Sequence, residues 1–286
     1  MGLHLGLIGH PISHSLSPWI HNQLLKESLL DGDYRLIDFH SIDLRKEHIT
    51  QLKKMNLHGF NVTVPYKEKI IPFLDDLDNE AKIMEAVNTV VIKQGKWIGY
   101  NTDGRGYLRS LNESYPEVMN DKTISILIIG AGGAAKGIYH SLVASGFINI
   151  DIANRTLKNA EQIALLKNSK TKTSCYAINE AEMLIEKYSI IIQTTSVGMK
   201  PKEDRIIMNV DKMKPNTIVS DIVYQPLMTT FLKQAKKKGA LLHPGHTMLL
   251  YQAQYAFEIW SGYNVNTSRI KTKLQRKLEG NRDANR

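Results

Sequence analysis

The run Ile124-Ser125-Ile126-Leu127-Ile128-Ile129-Gly130-Ala131-Gly132-Gly133-Ala134-Ala135 leaves this chain little choice of fold. Its first half is almost wholly isoleucine and leucine, the pattern of a strand buried on both faces in a parallel sheet. Glycines follow at once, and helix-favouring residues continue to about Ser145. A strand, a tight turn and a helix in that order fit the G-x-G-x-x-A form of the dinucleotide-binding fingerprint. Gly130 makes the turn, Gly132 lets the backbone approach a pyrophosphate, and Ala135 lets helix and strand pack closely. The helix amino end adds unpaired N–H groups and a positive dipole end, so Gly130, Ala131, Gly132, Gly133 and Ala134 are the expected phosphate contacts.

Which dinucleotide is expected follows from the next strand. An NAD enzyme places an acidic residue at that strand's tip for the ribose 2′-hydroxyl. Here Ile148-Asn149-Ile150-Asp151-Ile152-Ala153 keeps its acid inside the strand and ends in Asn154-Arg155-Thr156, with Lys158 close behind. Asp151 therefore reads as structural. The guanidinium of Arg155, with Asn154, Thr156 and Lys158, suits a 2′-phosphate, and NADP is favoured over NAD.

Strand-like runs at 33–39, 58–64 and 88–93, after an opening strand at 3–9, alternate with helical stretches at 17–30, 43–54, 66–72 and 76–85. That alternation predicts a first α/β unit with a largely parallel sheet. Ser17 at the N-cap and Pro18 at the first helical position open its first helix. Trp97-Ile98-Gly99-Tyr100, after the Gln94-Gly95 turn, forms a hairpin with 88–93. The second unit takes strands at 124–129, 148–153, 173–177, 189–194 and 217–221 and a helix at 227–238. The helical segment 245–283 is expected to return to the first unit. The domains expected are thus 1–103, completed by 240–286, for substrate and catalysis, and 104–239 for the dinucleotide.

Chemistry in the first unit centres on Asn61-Val62-Thr63-Val64-Pro65-Tyr66-Lys67. Pro65 cannot donate a ladder hydrogen bond, so the strand stops and presents Lys67 at its end, beside Asn61 and Thr63. Strand ends are where open α/β sheets bind ligands. A second polar signature, Asn101-Thr102-Asp103-Gly104, supplies a carboxylate. In the extended stretch Ser13–Pro18, Ser15 and Ser17 point the same way, so two hydroxyls can hold one carboxylate. His14 and His21 read as supporting or structural residues.

Composition narrows the partners. The formal charge of +9 is spread along the chain, and its clusters, at Lys233–Lys238 and from Arg269 to Arg286, lack aromatic interleaving. They read as a helix end and a solvated, partly frayed helix, which argues against nucleic acid. A single cysteine, Cys175, excludes a disulfide framework and reads as a buried structural thiol in a reducing compartment. No leader-like amino terminus or membrane-length apolar run is visible, so a cytoplasmic protein is expected. No His or Cys cluster has metal-ligand spacing, so no metal is expected.

These motifs together resemble the shikimate/quinate dehydrogenase family nearly end to end. The residues carrying the resemblance are Gly9–Pro18, Asn61–Lys67, Glu85–Thr89, Asn101–Gly104, the glycine loop at 130–135, Asn154–Thr156, Asp221-Ile222-Val223-Tyr224 and Gly245–Gln252. The resemblance implies an N-terminal αβα substrate domain with a mainly parallel sheet, a C-terminal Rossmann domain, and a cleft between them. It implies NADP-linked interconversion of shikimate and 3-dehydroshikimate in aromatic amino-acid biosynthesis, by a monomer or homodimer. Lys67 and Asp103 would be the catalytic pair, moving the hydroxyl proton jointly with Lys67 preferred as base. Ser15 and Ser17 would bind the substrate carboxylate, and Thr63, Asn88, Tyr224 and Gln252 would surround the ring. Ile222 and Gly245 would meet the nicotinamide end.

Two positions depart from the family pattern: Gln193-Thr194-Thr195 stands where Asn-Ala-Thr is common, and Pro244 where an acid is usual. The alternatives are a quinate/shikimate enzyme preferring NAD, and a catalytically silent NADP-binding sensor.

Overall fold

The computed structural model describes residues 2–280. The chain forms two compact units, one of residues 1–103 with 252–272 and one of residues 104–251 with 273–286. The C-terminal segment therefore divides. Residues 240–251 lie with the second unit, because the strand they begin with pairs into its sheet.

In the first unit, β1 (Leu3–Gly9), α1 (Ser17–Glu27), β2 (Gly32–Asp38), α2 (Lys46–Lys53), β3 (Gly59–Val62), β4 (Asp76–Leu77), α3 (Asn79–Met84), β5 (Thr89–Lys93) and β6 (Lys96–Tyr100) follow in order. The sheet order is β2-β1-β3-β5-β6-β4. Only β5 runs against its neighbours, as the expected hairpin with β6 requires. The stretch 66–72, expected as a helix, is mostly turn, because Pro72 leaves room only for a 3₁₀ turn at Ile71–Phe73. The start of 76–85 is likewise strand β4 before α3 begins.

The amino end of α1 also differs from expectation. Ser17 is the first helical residue, Leu16 holds the N-cap position, and no side chain caps the helix. The Ser15 hydroxyl instead accepts from the Ser17 N–H at 3.2 Å.

The second unit comprises α4 (Asp103–Ser114, whose first residue belongs to the first unit), β7 (Ser125–Ile129), α5 (Gly133–Ala144), β8 (Asn149–Ala153), α6 (Leu157–Ala164), β9 (Cys175–Tyr176), α7 (Ile178–Met183), β10 (Ile190–Gln193), β11 (Ile218–Asp221), α8 (Thr230–Lys237) and β12 (Leu241–Pro244). Its strands are all parallel, in the order β12-β11-β10-β7-β8-β9. That is the doubly wound Rossmann order, with its reversal between β7 and β10. Alternate residues of β7 serve two cores: Ile126 and Ile128 pack with Ile138 and Leu142 of α5, while Leu127 and Ile129 pack with Phe231 and Leu232 of α8. Burial on both faces explains the unbroken apolar run. Strand β12 escapes sequence reading because it is four residues long and ends in proline.

Helices α9 (His246–Ser261) and α10 (Ser268–Leu278) complete the described chain, and the end of the expected 245–283 helix and basic tail, residues 281–286, lies outside the described residues. In the first unit Trp260 of α9 donates through Nε1 to the Val90 carbonyl at 2.9 Å and lies against Gly59, where a Cβ would sit 2.2 Å from that nitrogen. Among the described residues no helix is long and apolar enough to cross a membrane.

Candidate active site

Strand β3 stops at Val62, and the following turn delivers Lys67. The Lys67 carbonyl accepts from the Val87 N–H at 2.8 Å, which fixes the turn beside β5. Asp103 is the first residue of α4, where the helix dipole favours an anion. Lys67 Nζ donates to Asp103 Oδ2 at 2.5 Å, and the two side chains are only 15% and 7% exposed. A charge-assisted bond between two groups so little exposed holds both in one geometry.

The pair is held by a wider polar network in the same unit. Asn88 Nδ2 donates to Asp103 Oδ1 at 2.9 Å and to Thr102 Oγ1 at 3.0 Å, and lies 3.5 Å from Gln252 Oε1. Thr102 N and Thr89 Oγ1 both donate to Asn88 Oδ1 at 2.9 Å. Asn61 Nδ2 donates to the Asn88 carbonyl at 3.0 Å and to Thr89 Oγ1 at 3.1 Å. Tyr34 OH donates to Asn61 Oδ1 at 2.7 Å. Burial pushes the Tyr34 phenol well above its ordinary range, while a hydrogen bond with Ser17 pulls the other way. Ser15 Oγ donates to Ser17 Oγ at 3.1 Å. A continuous chain thus runs from Tyr34, through Asn61, Thr89 and Asn88, to Asp103 and Lys67, while Ser15 and Ser17 bond each other.

Of the ring-surrounding residues expected in this unit, Asn88 meets the pair directly and Gln252 lies against Asn88. Thr63 sits just past β3, its N–H bonded to the Ile8 carbonyl at 2.9 Å and its methyl where a Cβ on Gly9 would collide. Tyr224 is half-buried and belongs to the second unit. His14 is exposed. His21 is fully buried and stacks on Tyr34 with ring centroids 4.3 Å apart, and burial lowers its pKa to about 3.

Tyr34 was not among the residues read from sequence. Register explains its role: Leu5 of β1 pairs with Tyr34 and Leu7 pairs with Asn61, so both point to the same side of the sheet across β1. Nothing local in the sequence announces that neighbourhood.

The second unit carries the glycine turn. Gly130 has φ +113°, and a Cβ there would sit 2.5 Å from Thr194 Oγ1, so only glycine fits. A Cβ on Gly132 would meet nothing within 4 Å, and the first turn of α5 has neither a side-chain cap nor an acidic residue. Its amino end is therefore open and unneutralised, as a bound pyrophosphate requires. Past β8, Arg155, Thr156 and Lys158 are exposed, and Asn154 Nδ2 donates to the Thr156 carbonyl at 2.9 Å, shaping the loop. The open turn and the exposed cations fit a phosphorylated dinucleotide.

Asp151, read as structural, accepts from the Ser174 N–H at 2.9 Å and Tyr188 OH at 3.0 Å and pairs with Lys187 at 2.8 Å. Cys175 is half-buried, less enclosed than expected because it starts a two-residue edge strand; burial still pushes its thiol pKa up.

The unusual Gln193 has a clear structural part. Its Nε2 donates to the Val197 carbonyl and to Asp221 Oδ1, both at 3.1 Å, and its Oε1 accepts from the Thr195 N–H. Asp221 also accepts from the Val223 N–H at 2.9 Å and Thr229 Oγ1 at 2.7 Å. Burial pushes Asp221 up to about 7, against the pull of the Thr229 and Val223 bonds. One clamp thereby fixes the loops after both β10 and β11. Ile222 and Gly245 are in contact: a Cβ on Gly245 would sit 2.4 Å from the Ile222 carbonyl oxygen.

Known proteins resemble the chain along nearly its whole length. The family model for the shikimate dehydrogenase substrate binding domain matches residues 7–90, and that for shikimate/quinate 5-dehydrogenase matches residues 113–223. The chain is similar to a shikimate dehydrogenase (NADP(+)) of Oceanobacillus iheyensis, 51% identical over 98% of this chain and 100% of that protein. It is also similar to a crystal structure of shikimate dehydrogenase in complex with NADP+, with a TM-score of 0.86 and 36% identity over 97% of this chain and 96% of that one. A quinate dehydrogenase from Corynebacterium glutamicum in complex with NAD aligns with a TM-score of 0.85 and 29% identity, covering 95% of this chain and 98% of that one.

Proposed function

The chain belongs to the shikimate dehydrogenase family, and from that premise we propose that it reversibly reduces 3-dehydroshikimate to shikimate with NADPH. The observation that carries this reading is the buried Lys67–Asp103 pair, held by Asn88 in one hydrogen-bonded chain with Thr89, Asn61 and Tyr34. The unit of residues 1–103 with 252–272 serves as substrate domain, and the unit built on the Rossmann sheet as NADP domain. The single half-buried cysteine accords with action in the cytoplasm.

Ser15 and Ser17 hold the substrate carboxylate, which sets the ring's orientation. Asn88 and Gln252 bond the ring hydroxyls, with Thr63 and Tyr224 lining the ring. Lys67 and Asp103 face the reacting oxygen. In the direction of alcohol oxidation the hydroxyl proton passes to this pair as the C–H bond breaks, and in reduction the pair returns it. NADP, when bound, supplies the hydride chemistry. Asn88 fixes Asp103, so the carboxylate keeps Lys67 aimed while its proton moves. The glycine turn at 130–134 takes the pyrophosphate; Asn154, Arg155, Thr156 and Lys158 take the 2′-phosphate; Ile222 and Gly245 form the nicotinamide end.

Steady-state kinetics with shikimate and with quinate, each with NADP+ and NAD+, test the reading. The highest kcat/KM is expected for shikimate with NADP+. A higher value for quinate with NAD+ would replace it with the quinate enzyme. NADPH binding without turnover of 3-dehydroshikimate would leave only a sensor.

A further inference from the structure

Sequence spacing shows no metal-ligand cluster, yet the fold assembles one. Gly9 and Asp38 pair at the ends of parallel strands β1 and β2. His10 follows the first, and His40 lies two residues past the second. One ligand atom each from His10, Asp38 and His40 falls within 4.8 Å of the others. His10 Nδ1 is 2.8 Å and His40 Nδ1 3.8 Å from the same oxygen, Asp38 Oδ1.

Three features make this more than chance proximity. His10 is fixed at its backbone, where its N–H donates to the Val64 carbonyl at 3.0 Å. Asp38 is aimed by the His40 N–H, which donates to Oδ1 at 2.7 Å. His40 has φ +51°, a left-handed conformation uncommon for a residue with a side chain, and it folds the imidazole back toward the carboxylate. The two imidazole rings lie 5.9 Å apart at 79°, edge to face. Ligands about 2.0–2.2 Å from a tetrahedral ion stand roughly 3.3–3.5 Å from one another. The 2.8 and 3.8 Å separations bracket that spacing, and the 83%-exposed His40 has room to swing inward.

We propose that His10, Asp38 and His40 form a binding site for a borderline divalent transition-metal ion of the zinc, cobalt or nickel class. Two imidazoles and one carboxylate suit such ions, whereas magnesium and calcium prefer sites made of oxygen alone. Water fills the remaining positions on the solvent side. Binding replaces the His10–Asp38 hydrogen bond with a metal bridge and ties the segment leading to Ser15 and Ser17 to the end of β2.

The test uses tag-free full-length protein stripped with a chelator. Zinc(II) is titrated by calorimetry and cobalt(II) by visible absorption, with magnesium(II) as the hard-ion control. One ion per chain is expected, with visible cobalt bands and no competition from magnesium. His40→Asn removes the imidazole but tolerates the left-handed backbone, and Asp38→Asn keeps the acceptor for the His40 N–H. Each is expected to weaken zinc at least about tenfold, the lower end of what even supporting residues contribute to metal sites. Zinc should raise the Tm of the parent protein and leave that of both variants unmoved. His14→Ala, which removes a nearby exposed imidazole, should change nothing. Absence of one-to-one binding, binding that survives in both variants, or an equal loss in His14→Ala would each overturn the site.

Discussion

The polar chain ending on Lys67 and the glycine turn after β7 prepare their sites by opposite means. In the first unit, side chain bonds side chain from Tyr34 to Lys67, and nearly every member is buried. Each residue's identity matters, because an unpaired buried polar group costs about 1–3 kcal/mol. In the second unit, the turn proposed for the phosphates is shaped by backbone: a turn only glycine can make and a helix end with no side chain over it. Proton transfer needs groups of defined chemistry held still, whereas a pyrophosphate needs only N–H groups and space. Mutations in the two regions should therefore fail differently.

The largest effect is expected for Lys67→Ala, which should lower kcat by about 10² to 10⁴ while leaving the NADPH dissociation constant unchanged. Near-normal kcat would remove Lys67 from the mechanism, and a parallel loss of cofactor affinity would erase the distinction between the regions.

Next comes acid stability. Well above pH 6.5 His21 is neutral whether the chain is folded or not; as pH falls through 6.5 toward about 3 the unfolded chain takes up a proton that the buried ring refuses. Stability should thus fall with falling pH across that window, by a few kcal/mol in all. His21→Phe keeps a ring against Tyr34 and should flatten this slope in urea-unfolding measurements made from pH 7 to 4. An unchanged slope would mean that His21 is protonated while folded.

Arg155→Ala should weaken NADP+ by roughly 10- to 100-fold, the value of a charge-assisted bond or two, with NAD+ scarcely affected. Equal losses for both would place Arg155 away from the 2′-phosphate. The smallest effect is expected for Tyr34→Phe, which takes one donor from Asn61 Oδ1. Urea unfolding should show a loss of about 1–3 kcal/mol, with a rise in the substrate KM that exceeds any fall in kcat. No change in either would show that the chain is broken at Tyr34 without consequence.

The same contrast governs what could be read from sequence. The Rossmann unit was legible because its signals are local: an unbroken apolar strand, glycines at fixed spacing and a basic strand tip within a few dozen residues. Lys67 stood out because Pro65 ends a strand just before it. Tyr34 did not, since its link to Asn61 depends on two crossover connections bringing β2 and β3 to either side of β1. His10, Asp38 and His40 were hidden for the same reason. Gln193 was visible as a departure from the family pattern, but its clamp on Asp221 depends on β10 and β11 being neighbours.

Both units are discontinuous in sequence, and that bears on the order of synthesis. The first hundred residues leave the ribosome without the 252–272 segment, so Gly59 and the Val90 carbonyl wait for Trp260 until the chain is almost finished. Most of the Rossmann sheet is translated before the substrate domain can close its core. A nascent chain therefore passes through a stage with a nucleotide fold nearly assembled and an incomplete catalytic unit exposed, the kind of surface that recruits chaperones. A premature stop just after residue 251 would leave that stage permanent.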